Sequence, residues 1–123
     1  MKNIHKEGDL KIPEINLNYD KGLIELKGRS TPENTNDVYQ PIIEWVKEYI
    51  KNPKPKTVVN IHFEYYNSSS AKYLARFFEQ FIVLKENDLS LEINWFYDDE
   101  ELMDSGHDFS EIIDIDFNFI STK

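Results

Sequence analysis

Three consecutive hydroxyls, Ser68, Ser69 and Ser70, follow Asn67 where an alternating apolar run gives way to a helical pattern. The run is Val59, Ile61, Phe63, Tyr65; the pattern is Leu74, Phe77, Phe78, Phe81, Ile82. This spacing predicts a strand, a sharp turn and a helix, with the serines at the helix N-terminus. Such a terminus has unpaired backbone N–H groups and the positive end of the helix dipole, so it suits an anion, including a phosphate. A hydroxyl placed there is one of two things. It is a cap, accepting from a free N–H for about 1 kcal/mol, or it is an acceptor for phosphate. Caps far outnumber switches, so the residues alone favour the cap. The switch would nonetheless work chemically. Phosphorylation adds roughly −1.5 to −2 charge, which Ser68 would present to the first-turn N–H groups, with Lys72 one turn on and Arg29 as the nearby cations.

The other candidate groups are weaker. Asp98, Asp99, Glu100 and Glu101, with Asp104, form an acidic run that could attract a divalent cation, but the spacing is not that of a calcium loop. Carboxylates at a solvated helix start fit it better. His62 and Glu64 share a strand face without a third ligand at recognisable spacing. Ser68, His62 and Asp98 can be drawn as a triad, yet nothing in the sequence brings His62 to Ser68. There is no Gly-rich phosphate loop, nucleophile elbow, HExxH or cysteine, and no cofactor signature. A metal-dependent enzyme or ligand-binding domain using the Asp98–Glu101 edge is the rival to a non-catalytic module.

The elements that must hold these groups follow from periodicity. Residues 1–11 are polar and predict a flexible N-terminus; residues 12–120 form one domain. Ile15, Leu17 and Tyr19 alternate with polar neighbours, Asp20-Lys21-Gly22 turns the chain, and Leu23–Lys27 returns as a second strand. Gly28–Asn36 is a loop rich in turn formers. A helix runs to about Lys51, with Val38, Ile42, Trp45, Val46 and Tyr49 on its apolar stripe. Pro41 suits only a first turn, which predicts a start near Asp37. Strands at Thr57–Tyr66 and Leu91–Tyr97 flank the second helix. Asp98–Gly106 reads as an acidic turn and short helix. Ile113, Ile115, Phe117 and Phe119 alternate as a last strand.

The order is thus β-β-α-β-α-β-α-β. Each strand has one apolar and one polar face, which predicts an α/β fold of two layers, with a mixed sheet carrying helices on one face only. If the second, third and fourth strands are parallel, the loops Gly28–Asn36, Asn67–Ser70 and Asp98–Glu101 meet along one sheet edge, where open α/β sheets commonly bind.

Composition narrows the partners. The formal charge is −9 over 123 residues, which disfavours a nucleic-acid backbone or an anionic membrane surface. No apolar run reaches membrane-span length and no signal segment opens the chain, so neither membrane insertion nor secretion is expected. The absence of cysteine fits the cytoplasm.

Several blocks in fixed order carry a resemblance. They are Gly28-Arg29-Ser30-Thr31-Pro32-Glu33-Asn34, Tyr39-Gln40-Pro41, Trp45 to Tyr49, Tyr65-Tyr66-Asn67-Ser68-Ser69-Ser70, Trp95-Phe96-Tyr97-Asp98-Asp99-Glu100 and Gly106-His107-Asp108-Phe109. From about Ile15 to Phe119 the chain resembles the SiaC-type regulatory phosphoproteins. The resemblance implies a STAS-like two-layer fold, similar to the anti-sigma-factor antagonists. It implies a partner-switching system, in which a Ser/Thr kinase phosphorylates the protein and a PP2C-type phosphatase reverses this. The unmodified form then engages an effector; in the best understood branch this is a diguanylate cyclase, with cyclic-di-GMP and biofilm as its outputs. The family's acceptor is typically Thr within Asn-Thr-Ser-Ser, and Ser68 stands at that position here, with Ser69 and Ser70 as alternatives. Arg29, Glu33, Asn34, Asn67, Lys72 and Asp98–Glu101 are then the partner-binding edge.

Overall fold

A computed structural model describes residues 1–123. One six-stranded mixed sheet is built from β1 (Ile4–Lys6), β2 (Glu14–Asn18), β3 (Leu23–Ser30), β4 (Lys56–Tyr66), β5 (Ser90–Tyr97) and β6 (Asn118–Ser121), which lie side by side in chain order. The first three pair antiparallel; β3, β4, β5 and β6 run parallel. Four helices connect the parallel strands: α1 (Thr35–Tyr49), α2 (Ser68–Glu79), the single-turn α3 (Ile82–Glu86) and α4 (Glu100–Ile113). None is long and apolar enough to cross a membrane.

Alternation decides the layers. Ile15, Leu17, Ile24, Leu26, Val59, Ile61, Phe63, Ile93 and Trp95 point to one side and join the helices' apolar stripes in one core. The opposite face carries Asn16, Glu25, Asn60, His62 and Asn94 and has no helix over it. Burying one such aliphatic or aromatic side chain stabilises by roughly 1.5–3 kcal/mol, so a strand slipped by one residue would lose its whole inward set.

The element order differs from expectation in several places. Residues 1–11 do not simply fray. Ile4–Lys6 pairs with β2, and Trp45 Nε1 donates to the Lys2 carbonyl while Tyr19 N donates to Asn3 Oδ1. The strand expected to end at Lys27 continues to Ser30, so Arg29 and Ser30 are held by the sheet rather than by a loop. Helix α1 starts at Thr35, two residues before Asp37, because Asn34 Oδ1 accepts from Asp37 N. Pro41 therefore lies past the first turn, on the exposed side of the helix.

Helix α4 is the largest departure. Gly106 does not end it; the helix continues to Ile113 and stops at Asp114, which adopts φ 54°. A Cβ on Gly106 would sit 2.6–2.7 Å from the indole of Trp95, so glycine here permits close helix–sheet approach. Ile115 and Phe117 are buried as the alternation predicted, but they lie in the connection, and β6 is only Asn118–Ser121. Along β4 a bulge leaves Glu64 without a partner opposite Gly28 and Arg29. Tyr65 then turns outward, 50% exposed, and Tyr66 turns inward against Trp95 and Phe109. This reverses the facing expected from strict alternation.

Candidate functional site: three capped helices on one sheet edge

Because β3, β4 and β5 are parallel, their carboxyl ends share an edge, and α1, α2 and α4 each begin there. Each start is capped the same way. Asn34 Oδ1 accepts from Asp37 N at 3.3 Å, Asn67 Oδ1 from Ser70 N at 2.9 Å, and Asp99 Oδ1 from Leu102 N at 2.9 Å. Three positive dipole ends therefore face the same region. The cap of α2 is Asn67, so no serine is needed for that role.

The three serines have distinct surroundings. Ser70 is fully buried; its hydroxyl donates to the Ser30 carbonyl at 3.0 Å and lies 2.8 Å from Ser30 Oγ. Ser30 Oγ is in turn 2.6 Å from the hydroxyl of buried Tyr39. Burial pushes the Tyr39 phenol up to about 12, against the lowering effect of the two serine hydroxyls. Ser69 is exposed, but its hydroxyl donates to Asn67 Oδ1 at 3.1 Å and lies 2.8 Å from Thr35 Oγ1. That contact ties the starts of α1 and α2. Ser68, the first residue of α2, is exposed and its hydroxyl makes no hydrogen bond.

The flanking groups divide. Lys72 is exposed on α2 with no acid within ion-pair range. Arg29 lies on the open side of the sheet, its guanidinium 5.5 Å from the centroid of Tyr65. Glu33 Oε1 contacts Lys11 Nζ at 3.2 Å. Glu100 and Glu101 are exposed in the first turn of α4. Asp98 points the other way. Its Oδ1 accepts from the Thr122 hydroxyl and lies 3.2 Å from His62 Nε2. The Thr122 hydroxyl, and then His62, hold its carboxyl below the usual range. Half of the drawn triad thus forms, His62 with Asp98, but Ser68 takes no part in it. No group of three or more His, Asp or Glu side chains is gathered as metal ligands.

Sequence reasoning brings Ser30 to this edge but misses the hydroxyl network it forms with Ser70 and Tyr39, and the Thr35 contact to Ser69. A buried hydroxyl has no signature in one sequence; it becomes visible only when its partners, up to forty residues away, are placed.

A family model for the SiaC family regulatory phosphoproteins matches residues 6–122. The chain belongs to this family. Among its relatives, an uncharacterised protein of Pseudomonas aeruginosa is 23% identical over 113 residues, covering 90% of each chain. The crystal structure of apo-SiaC from P. aeruginosa superposes with a TM-score of 0.87 at 22% identity, covering 100% of both chains. The P. aeruginosa structure of diguanylate cyclase SiaD in complex with its activator SiaC gives a TM-score of 0.89 at 21% identity, covering 96% of this chain and 98% of that one. At such identities the superpositions speak for the SiaC fold, and the family model for the class of regulatory phosphoprotein.

Proposed function

We propose that this SiaC-family chain is a non-catalytic, cytoplasmic signalling switch whose phosphate acceptor is Ser68. The observation that carries the reading is the contrast within Ser68–Ser70. Only Ser68 combines exposure with a hydroxyl engaged by nothing else. Ser70 is sealed beneath Tyr39, and Ser69 bridges to Thr35, so neither is as accessible to a kinase. In this reading a Ser/Thr kinase modifies Ser68, a PP2C-type phosphatase restores it, and the scaffold is STAS-like.

The switch is local charge. A phosphate on Ser68 gains from the α2 N-terminus and from Lys72, so the modified form stays folded. It also adds about two negative charges to an edge holding Glu33, Glu100 and Glu101. A partner docked over Arg29, Asn34, Asn67 and Asp99–Glu101 would have to desolvate that charge, at a cost of several kcal/mol. The unmodified form is therefore the effector-binding form. A diguanylate cyclase is the effector we favour, since the P. aeruginosa activator SiaC is seen with the cyclase SiaD.

Phosphosite mapping of the chain recovered from its own cells tests the acceptor. The expected result is a single phosphate on Ser68, abolished in Ser68→Ala. A phosphate mapped to Ser69, or undiminished phosphorylation of Ser68→Ala, refutes the assignment.

A further inference from the structure

The face of the sheet without helices holds an oriented chain of side-chain amides. In lateral register lie Asn16 on β2, Glu25 on β3, Asn60 on β4, Asn94 on β5 and Asn118 on β6. Asn118 Nδ2 donates to Asn94 Oδ1 at 2.9 Å, and Asn94 Nδ2 to Asn60 Oδ1 at 2.8 Å. Asn60 Nδ2 donates to Glu25 Oε2 at 2.9 Å, and Asn16 Nδ2 reaches Glu25 Oε1 from the other side, also at 2.9 Å. A carboxylate only accepts, so Glu25 dictates the direction of every amide in the row. Successive donation in one direction polarises each bond and, with one branch from Asn94 Nδ2 to Glu92 Oε2 at 2.9 Å, runs to the Glu25 carboxylate.

That carboxylate is rigid, half-buried and without a cation. No Lys, Arg or His lies within ion-pair range of Glu25; Glu14 is taken by His5 at 3.1 Å, and Glu92 by Lys56 at 3.8 Å. Glu25 opens into a concavity of about 380 Å³, whose walls include Glu14, Asn16, Lys27, His62 and Phe96. The His62 and Phe96 rings lie side by side, centroids 5.7 Å apart, and form an aromatic wall. Lys27 also lines the concavity and is exposed.

We propose that this concavity receives an arginine side chain of a protein partner, with Glu25 as its bidentate acceptor. Each Glu25 oxygen already accepts one amide donor, which fixes the carboxylate plane and leaves outward lone pairs on both oxygens. A planar fork of two N–H groups matches that pair; an ammonium does not. The Phe96 ring, with His62 tilted 39° beside it, offers an aromatic face on which a guanidinium stacks. Charge complementarity favours a basic visitor: the chain is −9 overall, and the concavity sets two carboxylates, Glu14 and Glu25, against the one ammonium of Lys27. Arginine is also among the side chains most enriched as interface anchors. The site lies on the open face, away from the Ser68 hydroxyl, and stands or falls without the phosphate reading.

The test uses N-acetyl-argininamide as probe on the ¹⁵N-labelled full chain, with the neutral citrulline and the lysine analogues as controls. A single side chain binds weakly, with Kd on the order of 1 mM or above. The expected result is saturable movement of the Asn16 and Asn60 side-chain amide signals with the arginine probe only. Glu25→Gln should weaken it roughly tenfold or more, as expected for losing a charge-assisted pair. Silent Asn16 and Asn60 signals, or equal movement with citrulline or lysine, overturn the proposal. This comparison is made on the unaltered chain, so it decides even if Glu25→Gln does not fold.

Discussion

Ser70 and Ser30 are joined by two contacts, Ser70 Oγ to the Ser30 carbonyl at 3.0 Å and hydroxyl to hydroxyl at 2.8 Å. The bond pins the first turn of α2 to the last residue of β3. It sits under the sheet edge, with the exposed Ser68 hydroxyl only two residues away in sequence. The edge is thus built from one free hydroxyl above and a buried hydroxyl network below.

That division predicts opposite responses from neighbouring serines. Ser68→Ala removes no hydrogen bond and should change stability by less than about 0.5 kcal/mol. Ser70→Ala removes one donor from the Ser30 carbonyl, which keeps the Asn67 N–H at 3.0 Å, and should cost about 1 kcal/mol. Urea unfolding at neutral pH distinguishes them. Equal stability of the two variants would show that the network contributes nothing.

Tyr39 should write its own signature at high pH. Its folded-state value is raised to about 12, chiefly by burial, above an ordinary value near 10. A raised folded value means the stabilisation is complete below about pH 10 and drains away as pH climbs toward 12. Tyr39→Phe cannot ionise, so its stability curve over that window should be flatter by one proton. At neutral pH the same variant should lose about 1 kcal/mol with the Ser30 contact. Parallel alkaline curves would sink the assignment.

Gly106→Ala sets two effects against each other. Alanine is favoured over glycine inside a helix by roughly 0.5–1 kcal/mol. The added methyl would lie within 2.6–2.7 Å of the Trp95 indole, which is 1% exposed and closed in by Phe78, Phe109 and Phe117. Overpacking of this kind costs about 1–3 kcal/mol, so the clash wins and the melting temperature should fall. A higher melting temperature would mean that α4 rides free of β5.

Much of this was legible in the residues. The period-two run Val59 to Phe63 and the polar break at Asn67 locate the strand–turn–helix unit, because burial of one face enforces register. The parallel edge followed from the helical patterns between strands. What was not legible depends on long-range contact. Ile4 becomes a strand residue only because Leu17 has a free edge opposite it. The bulge at Glu64 exchanges the facings of Tyr65 and Tyr66, which no local pattern reveals. Gly106 has the look of a helix end until Trp95 is placed against it. At the site, Ser68, Ser69 and Ser70 are alike in sequence; only Thr35 and Ser30 tell them apart.

Asp98 ties three elements together, and its titration can be dissected. Its carboxyl accepts from Thr122 beyond β6 and contacts His62 on β4, and it immediately precedes the α4 cap Asp99. The Thr122 hydroxyl is the larger cause of its lowered value and His62 the smaller. A lowered folded value means the stabilisation is present above the ordinary carboxylate value, near 3.9, and is lost as pH falls through the folded one. Asp98→Asn should therefore flatten the acid limb of the stability curve in that window and leave its alkaline limb alone. Side-chain carboxyl NMR resolves the two causes. Thr122→Val should raise the Asp98 titration midpoint toward the ordinary value by more than His62→Ala does. If the histidine variant moved it further, the open sheet face, rather than the end of the last strand, would be what holds this carboxylate.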